Sequence, residues 1–456
     1  MKASRLNISN VRVGNIRIDP EYHLSDGVRI KRIVRSMPYP ITTVQEVSSR
    51  IFYGGRAKRI YVTKKENGVP FLSSSDILQA DLDNVKLASK KFTPNIEEMK
   101  VQKGWILISR SGTIGNTAYA NAGHAQKLTS EDVIRVCPND ILRGGFLYAY
   151  LASQYGHSLL TQGTFGAVIQ HIEPDFVGSI PVPKFPDSFQ KEVDDLIQEA
   201  TRLREEASRH LNNAVMIFEK NNEDYFQKHV KSTLKPIPIN AINSNYRRFD
   251  ASYQIWLSDI KELTKTKPCR RSRKISSIAE EIFTGNRGKR NYTEEGIPFI
   301  SSSDMMLFNP IKYAKKISRK TKDLSSMLVR TGDILISRSG TVGNTALVSD
   351  TLNGCAVSEH AMRLRLFPQT ISPEYVFCYF NTKEGKCYLE SLAYGSVIIT
   401  LGEEFVGNID LPILDENIQQ EIYTDIAQYT SKLDKATHLE NMAIKIVESE
   451  IEKWSR

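Results

Sequence analysis

Guanidinium, hydroxyl and amide side chains recur in a short string that the chain carries twice. Residues 106–118 read ILISRSGTIGNTA and residues 334–346 read ILISRSGTVGNTA, so twelve of thirteen letters match at an offset of 228. In each string a short apolar run predicts a strand that leads into a turn with two glycines. The polar side chains of the turn can donate hydrogen bonds to phosphates and base edges. They are Arg110, Ser111, Thr113 and Asn116 in the first string, and Arg338, Ser339, Thr341 and Asn344 in the second.

The same string can also be interpreted as a structural hairpin whose hydroxyl groups cap their own backbone. Near identity between the two copies favours this shared scaffold role, because two surfaces that recognise different base sequences would be expected to differ. We therefore expect any nucleic-acid contact of the turn to be with the phosphate backbone rather than with the bases.

Each copy also carries a cluster of basic residues with a tyrosine. The clusters are Arg56, Lys58, Arg59 and Tyr61 in the first copy, and Arg287, Lys289, Arg290 and Tyr292 in the second. Basic groups beside an aromatic ring are typical of a loop that faces DNA, whereas a solvated charged face is the alternative. A basic run at residues 265–274, KTKPCRRSRK, admits the same two interpretations.

The patterns of a catalytic site are missing from the sequence. Ser73–Asp76 and Ser301–Asp304 could suggest nucleophilic chemistry, but no histidine stands at matching positions of both copies, so capped turns are expected. The sequence has neither a glycine–lysine phosphate loop nor an S-adenosylmethionine motif. Five cysteines without a CxxC pair indicate buried apolar side chains in a reducing cytoplasm. We expect a binding protein with no catalytic residue, no cofactor and no metal.

Composition is that of a soluble protein with a moderate preference for a polyanion. The 456 residues are 40% hydrophobic and 25% charged, with a formal net charge of +9. The chain contains no apolar run long enough to cross a membrane, and its first residues lack the apolar segment of a signal peptide.

The repeat extends along the chain and predicts two copies of one domain. PFLSSSD at 70–76 returns as PFISSSD at 298–304, and each copy ends in a proline-flanked strand. Short apolar runs bounded by Gly, Pro, Asn and Ser predict strands, and residues 146–152 and 375–380 predict one helix in each copy. The expected fold class is α+β with a mostly antiparallel sheet, in domains 10–185 and 245–414.

After each domain the apolar period changes to that of a helix. The predicted helices cover residues 186–232 and 415–456, with apolar stripes from Val193 to Phe218 and from Ile418 to Ile451. We expect the helices to pair as an antiparallel coiled coil; the alternative is that each helix folds back on its own domain. Such a pair would form a rod of roughly 45–60 Å with a domain at each end. That arrangement suits two sites on one DNA duplex.

Two half-repeats that contain SRSGTxGN and end in a proline-flanked strand and a long helix resemble the specificity subunit of a type I restriction–modification system. The similarity extends from about Asp19 to Ile451. It implies that each copy is a target recognition domain for one half of a bipartite sequence in double-stranded DNA. It also implies that the helices are spacers that bind two adenine methyltransferase subunits and, through them, the restriction subunits. The chain would guide methylation and cleavage in phage defence without performing either.

Base-contacting residues are expected where the copies differ, at 77–103 against 305–331 and at 119–145 against 347–373. The string GAVIQHI at 166–172 also resembles the family, whereas the second copy departs from it with GSVIITL at 395–401. Any role of Gln170 and His171 is therefore not shared.

Three other functions stay open. One is a specificity subunit of another methylation-linked defence system. Another is a self-contained DNA enzyme with a divergent active site, against which the missing methyltransferase motifs argue. The third is a protein-interaction scaffold without DNA recognition.

Overall fold

The computed structural model describes residues 20–23, 25–55, 59–164, 170–222, 253–254, 271–285, 287–395 and 397–454. The chain folds into two compact units. The first unit contains residues 1–205 and 435–456, and the second contains residues 206–434. The four segment boundaries given by the sequence, 10–185, 186–232, 245–414 and 415–456, stay predictions.

The first unit contains short helices and short strands, as its many turn residues predict. Its helices are α1 (Pro20–His23), α2 (Asp26–Ser36), α3 (Ile96–Met99), α4 (Gly144–Ala152), α5 (Gln154–Gln162), α6 (Pro174–Gly178) and the start of α7 (Asp187–Asn221). Its strands are β1 (Ile41–Thr43), β2 (Ser48–Phe52), β3 (Tyr61–Val62), β4 (Gly68–Leu72), β5 (Leu87–Ser89), β6 (Ile106–Ser109), β7 (Thr117–Tyr119), β8 (Leu128–Thr129), β9 (Val133–Pro138) and β10 (Pro181–Pro183).

The second unit repeats this order of elements. Its helices are the end of α7, α8 (Ile275–Ile278), α9 (Leu324–Met327), α10 (Pro373–Asn381), α11 (Lys383–Leu392), α12 (Glu403–Gly407) and the start of α13 (Glu416–Glu452). Its strands are β11 (Ser272–Lys274), β12 (Ala279–Phe283), β13 (Tyr292–Thr293), β14 (Ile297–Ile300), β15 (Lys315–Ile317), β16 (Ile334–Ser337), β17 (Thr345–Leu347), β18 (Ala356–Val357), β19 (Ala361–Leu366) and β20 (Asp410–Pro412).

Sheet topology is the same in the two units. One four-stranded sheet has the order β2-β9-β6-β7 in the first unit and β12-β19-β16-β17 in the second, and all its pairs are antiparallel. A second four-stranded sheet has the order β3-β5-β4-β8 or β13-β15-β14-β18, with its last pair parallel. A two-stranded antiparallel sheet pairs β1 with β10 or β11 with β20. The expected α+β fold with mostly antiparallel pairing is confirmed, and the duplication covers the whole topology.

One helix lies at the centre of the core of each unit. In α4 the side chains from Phe146 to Leu151 are fully buried, and the run from Tyr375 to Phe380 in α10 is buried as completely. A helix that is apolar on every side must be enclosed in this way. The buried Tyr150 hydroxyl donates to the carbonyl oxygen of Pro181 at 2.6 Å, and burial raises its pKa. This bond joins α4 to the closing strand β10.

The two long helices pair in antiparallel directions, which confirms the expected coiled coil. Within the second unit, Glu206 of α7 contacts Lys432 of α13 at 2.8 Å, and His210, one turn further on, contacts Asp425 at 2.8 Å. The partner number falls as the helix advances. Within the first unit, an apolar layer forms between α7 and α13; its members are Ala200, Leu203, Ala436 and Leu439.

The apolar stripes of α7 and α13 also pack into the domain cores, so only part of each stripe contacts the other long helix. Val193 of α7 and Val447 of α13 belong to the core of the first unit. Phe218 of α7 and Ile422 of α13 belong to the core of the second. The alternative prediction, that each long helix packs on its own domain, therefore holds for part of each helix. The apolar face of each helix contacts both the other long helix and a domain core. In the described part of the chain, no helix is both long and apolar enough to cross a membrane.

Candidate nucleic-acid interface

The repeated string forms the same β-hairpin in the two units. The turn joins β6 to β7, and its glycines Gly112 and Gly115 have φ angles of +75° and +84°. In the second unit, Gly340 and Gly343 have φ angles of +78° and +91°. Residues with a side chain rarely adopt this left-handed backbone, which explains why glycine stands at all four positions.

Side chains of the first turn bind neighbouring parts of the same unit. Arg110 forms an ion pair with Glu173, and its guanidinium lies 4.5 Å from the ring centre of Tyr53. The hydroxyl of Ser111 donates to Asp132 at 2.7 Å. Thr113 is exposed, and Asn116 is half-buried.

The second turn has the same backbone with different partners. Ser339 Oγ lies 2.5 Å from Nδ1 of His360, the residue aligned with Asp132 at the offset of 228. The Nε of Arg338 donates to the carbonyl oxygen of Leu401 at 3.3 Å. Thr341 is exposed and Asn344 is half-buried. In the two turns, Thr113 and Thr341 are thus the fully exposed side chains of the predicted set, whereas the arginines and serines support the fold.

The basic cluster of the first unit separates into an inner and an outer part. Arg59 forms an ion pair with Glu131 at 2.7 Å and lies 5.4 Å from the ring centre of Phe71. Although burial lowers its pKa, the hydrogen bond and negative charge of Glu131 raise it by more. Tyr61 is 42% exposed. Arg56 and Lys58 lie outside the described residues.

The second unit repeats this separation. Arg290 forms an ion pair with Glu359 and lies 4.6 Å from the ring centre of Phe299. Tyr292 is 49% exposed. Arg287 and Lys289 are also exposed, and the Arg287 side chain has 88% of its surface free. The inner arginines hold the loop to the sheet, and the outer residues face solvent.

Two lysines that the sequence analysis did not single out complete the outer part. Lys86 Nζ lies 5.2 Å from the ring centre of Tyr61, and Lys315 Nζ lies 5.2 Å from that of Tyr292. The two lysines are aligned at an offset of 229, which was a usable signal in the sequence. Each unit therefore exposes a tyrosine with a lysine over its ring, the tyrosine on edge strand β3 or β13 and the lysine directly before the neighbouring strand β5 or at the first residue of β15. This pair can bind a phosphate through the ammonium and stack a base or sugar on the ring.

A buried arginine lies below each basic loop. Arg135 is fully buried over Phe52, and its Nη2 donates to the carbonyl oxygens of Met99 and Thr129. Burial lowers its pKa to about 10. Arg363 has the same place in the second unit, but it also pairs with Glu281 at 3.1 Å.

The long helices hold the loop that follows each repeated hairpin. Glu205 of α7 accepts a hydrogen bond from the backbone N–H of Ala122 at 2.9 Å and pairs with Lys103. Asp434 of α13, aligned with Glu205 at an offset of 229, accepts from the hydroxyl of Ser349 at 2.7 Å. In each unit a helix carboxylate thus fixes the hairpin relative to the helix.

Comparison with known proteins identifies the family of the chain. A family model described as "Type I restriction modification DNA specificity domain" matches residues 51–215 and 271–447. Each match overlaps one of the repeated copies, and together the two matches cover most of the chain. The chain belongs to this family. Type I specificity subunits recognise the DNA target, do not catalyse, and assemble with methyltransferase and restriction subunits.

Solved structures with similar chains carry related descriptions. One is the S subunit of a type I restriction–modification system from M. genitalium, with 14% identity, a TM-score of 0.32, and coverage of 92% of this chain and 96% of that chain. Another is the HsdS subunit from Thermoanaerobacter tengcongensis, with 14% identity, a TM-score of 0.29, and coverage of 91% and 96%. No curated protein matches the chain. The assignment rests on the family model.

Proposed function

We propose that each unit recognises one half of a bipartite DNA sequence, and that the chain brings two adenine methyltransferase subunits to that sequence in the cytoplasm. The observation that carries the proposal is the repeated exposed pair of tyrosine and lysine. Tyr61 with Lys86 and Tyr292 with Lys315 occupy the same topological position in two units of identical sheet order. A duplicated binding surface matches a target with two halves.

The outer cations supply the affinity for phosphate in this proposal. Lys86, Lys315 and Lys289 are exposed, and the Arg287 side chain is 88% exposed although its Nε lies 3.8 Å from Glu359. The guanidinium groups of Arg59 and Arg290 are closer to carboxylates of their own unit and less exposed. Phosphate contacts orient a protein on the duplex without specifying a sequence. The inner arginines and the repeated turn then act as the scaffold that presents the outer residues.

The long helices provide the surface for methyltransferase subunits. Met216 of α7 is 60% exposed, and Tyr423 and Met442 of α13 are 40% and 37% exposed. Large apolar side chains on the outside of an otherwise polar helix are typical of protein docking, and methionine adapts to a partner surface. Two such subunits would correspond to the two adenines of a bipartite site.

Long-read methylome sequencing tests the proposal directly. Cells that co-express the chain with its methyltransferase partner should show a bipartite adenine-methylated motif with a fixed gap, which is missing with the methyltransferase alone. An exchange of residues 10–185 for those of another specificity subunit should change one half of the motif and leave the other half and the gap. A stable complex that methylates no motif dependent on this chain would refute the proposal.

The salt dependence of binding tests the outer cations. For the purified complex, Lys86→Ala and Lys315→Ala should each reduce the slope of log affinity against log salt by about 0.9. Lys184→Ala, which removes an exposed lysine at the end of β10, is the matched control and should leave the slope unchanged. Slopes equal to that of the wild-type chain in the Lys86 and Lys315 variants would show that DNA does not contact this surface.

A further inference from the structure

A short loop of the second unit presents three large apolar side chains to solvent. Val397, Ile398 and Ile399 are 92%, 69% and 52% exposed. The ends of the loop are joined by two backbone hydrogen bonds, from Tyr394 N to Thr400 O at 2.8 Å and from Thr400 N to Tyr394 O at 2.7 Å. We call residues 394–395 and 397–400, which the structure describes on either side of Ser396, the apolar loop. Exposed apolar side chains on a closed, hydrogen-bonded loop indicate a contact surface, because a bound partner would remove their apolar surface from water.

The apolar loop is attached to the repeated turn. Thr400 forms a backbone bridge with Ser339, and Leu401 N donates to the carbonyl oxygen of Arg338 at 2.8 Å. Ser339 in turn contacts His360, which is adjacent in sequence to Glu359, the partner of Arg290. The loop and the basic cluster are therefore joined through a short chain of direct contacts within one unit.

Charged groups of both signs surround the loop. The carboxylate of Glu359 is engaged by Arg290, and that of Glu403 accepts from the backbone N–H of Thr284 at 2.7 Å. The Arg287 side chain remains 88% exposed in the same cluster. Glu390, Glu403 and Glu404 are exposed as well, so charge alone does not select the partner of the loop. DNA is the expected partner because the chain belongs to a family of DNA specificity domains.

We propose that the apolar loop enters the major groove and contacts the 5-methyl group of a thymine in the half-site that the second unit recognises. The inference rests on the proposed function. The side chains of Val397, Ile398 and Ile399 have no donor or acceptor, so they cannot recognise the hydrogen-bonding edges of bases. In the major groove, thymine presents the apolar group that such side chains can contact. A half-site methylated at adenine contains at least one A·T pair, so a thymine is present.

Removal of the methyl group from DNA tests this contact without a change in the protein. Each thymine of the two half-sites is replaced in turn by deoxyuridine, and affinity is measured for the purified complex with its methyltransferase. At one or more thymine positions of one half-site, the complex with the wild-type chain should bind DNA that contains uracil about fourfold more weakly than DNA that contains thymine. This factor corresponds to the loss of one methyl contact. The expectation is overturned if uracil at every thymine binds as thymine does.

A loop variant completes the test. In V397S/I398S/I399S the substituted side chains are solvent-exposed, so the fold should persist, and uracil and thymine should bind equally at the affected position. Ile141→Ser, in the first unit and 54% exposed, is the matched control and should retain the wild-type preference. A loop variant that retains the thymine preference would overturn the proposal. So would a loop variant that no longer copurifies with the methyltransferase while uracil is neutral, because the loop would then bind protein.

The outcomes separate this inference from the proposed function. If Lys315→Ala reduces the salt slope while no uracil substitution matters, the surface binds DNA and the thymine contact is refuted. If neither change has an effect, DNA does not contact this surface and the proposed function fails as well. A wedge in the minor groove would make the loop variant weaker on thymine and uracil targets alike, which also contradicts the thymine contact.

Discussion

Replacement of Glu440 by glutamine should open part of the first unit, because Glu440 is the buried partner of Arg204. Glu440 is fully buried, and its Oε2 lies 2.6 Å from Arg204 Nη2, whose side chain is 10% exposed. The hydroxyl of Tyr148 donates to the other carboxylate oxygen. This group joins α4, α7 and α13, so its charge balance affects three elements together.

The expected loss of stability follows from the distance between Arg204 and Glu440 and from the burial of both groups. At 2.6 Å and an effective dielectric constant of about 20, the attraction is about 6 kcal/mol, and desolvation of both groups offsets much of it. Removal of one partner of a buried pair nevertheless costs about 3–5 kcal/mol, because the other charge stays buried. Amide protection of the helix should fall by roughly 10² to 10⁴.

The second unit provides the design for a control. Arg204, Glu440 and Tyr148 align at an offset of 229 with Leu433, Leu211 and Phe377, of which Leu211 and Phe377 belong to one core. The triple variant R204L/E440L/Y148F should therefore be about as stable as the wild type, since apolar groups can replace a buried ion pair without loss.

Hydrogen–deuterium exchange of the full chain measures the effect locally. Peptides from residues 435–452 should lose protection in Glu440→Gln, while peptides from 416–434 serve as the internal reference. Glu206→Gln, whose pair with Lys432 is partly exposed, should change protection by about fivefold at most. A loss below tenfold in Glu440→Gln, or equal losses in the single and triple variants, would refute the reasoning.

Three further predictions concern stability. Arg50→Glu should raise the free energy of unfolding of the first unit by roughly 1–3 kcal/mol, because it places a carboxylate beside Arg135 as Glu281 does beside Arg363. A melting temperature equal to that of the wild type would contradict this prediction. Burial lowers the pKa of His124 to about 4, so the unfolded chain binds its proton first as pH falls below about 6.5. Stability should be constant above pH 6.5 and fall by about 3 kcal/mol towards pH 4, and His124→Leu should remove this dependence in pH-resolved unfolding. Gly112→Ala should cost about 1–2 kcal/mol through its positive φ alone, whereas Gly115→Ala should cost more because an added Cβ would lie 3.2 Å from Thr161; equal losses would show that crowding does not matter.

Local patterns in the sequence predicted the helices well. The helix expected at 146–152 is α4, Gly144–Ala152, and the stripes that begin at Val193 and Ile418 lie in α7 and α13. The two long helices are marked by apolar residues three or four apart, so a period in the sequence is sufficient to predict them, whereas α4 is apolar on every side and was predicted from its continuous apolar run. The parallel pairing of β4 with β8 joins Phe71 to Leu128, and no local pattern signals a contact over that separation.

The helix that directly follows the buried central helix of each unit, α5 or α11, was not predicted, although a local signal for it exists in the sequence. Ser153 caps α5 by accepting from the N–H of Gly156, and Thr382 does the same for Gly385 in α11. An added Cβ at Gly156 would lie 2.1 Å from the carbonyl oxygen of Tyr150, so the closeness of α4 and α5 requires glycine. A cap and a glycine three residues apart, in both copies, mark this helix start.

Site residues were harder to predict than elements, because residue type does not show which way a side chain points. Arg59 and Tyr61 stand two residues apart, yet the guanidinium faces Glu131 and the ring faces solvent. Lys86 reaches Tyr61 through the pairing of β3 with β5, a contact between segments that the sequence analysis treated separately. The predicted DNA contacts stay predictions until the salt-slope measurements are made.

The two copies differ in a manner that suits one scaffold for two recognition surfaces. Ser111 and Ser339 occupy identical turns, yet the first contacts Asp132 and the second contacts His360. Glu205 and Asp434 hold the loop after each hairpin to a long helix, so the backbone of the turn is fixed from the helix side in both units. Because that attachment does not involve the outward side chains, these can change without disturbing the hairpin. Substitution of the exposed residues on such a scaffold therefore provides a route by which one fold presents two different surfaces, as the proposed recognition of two half-sites requires.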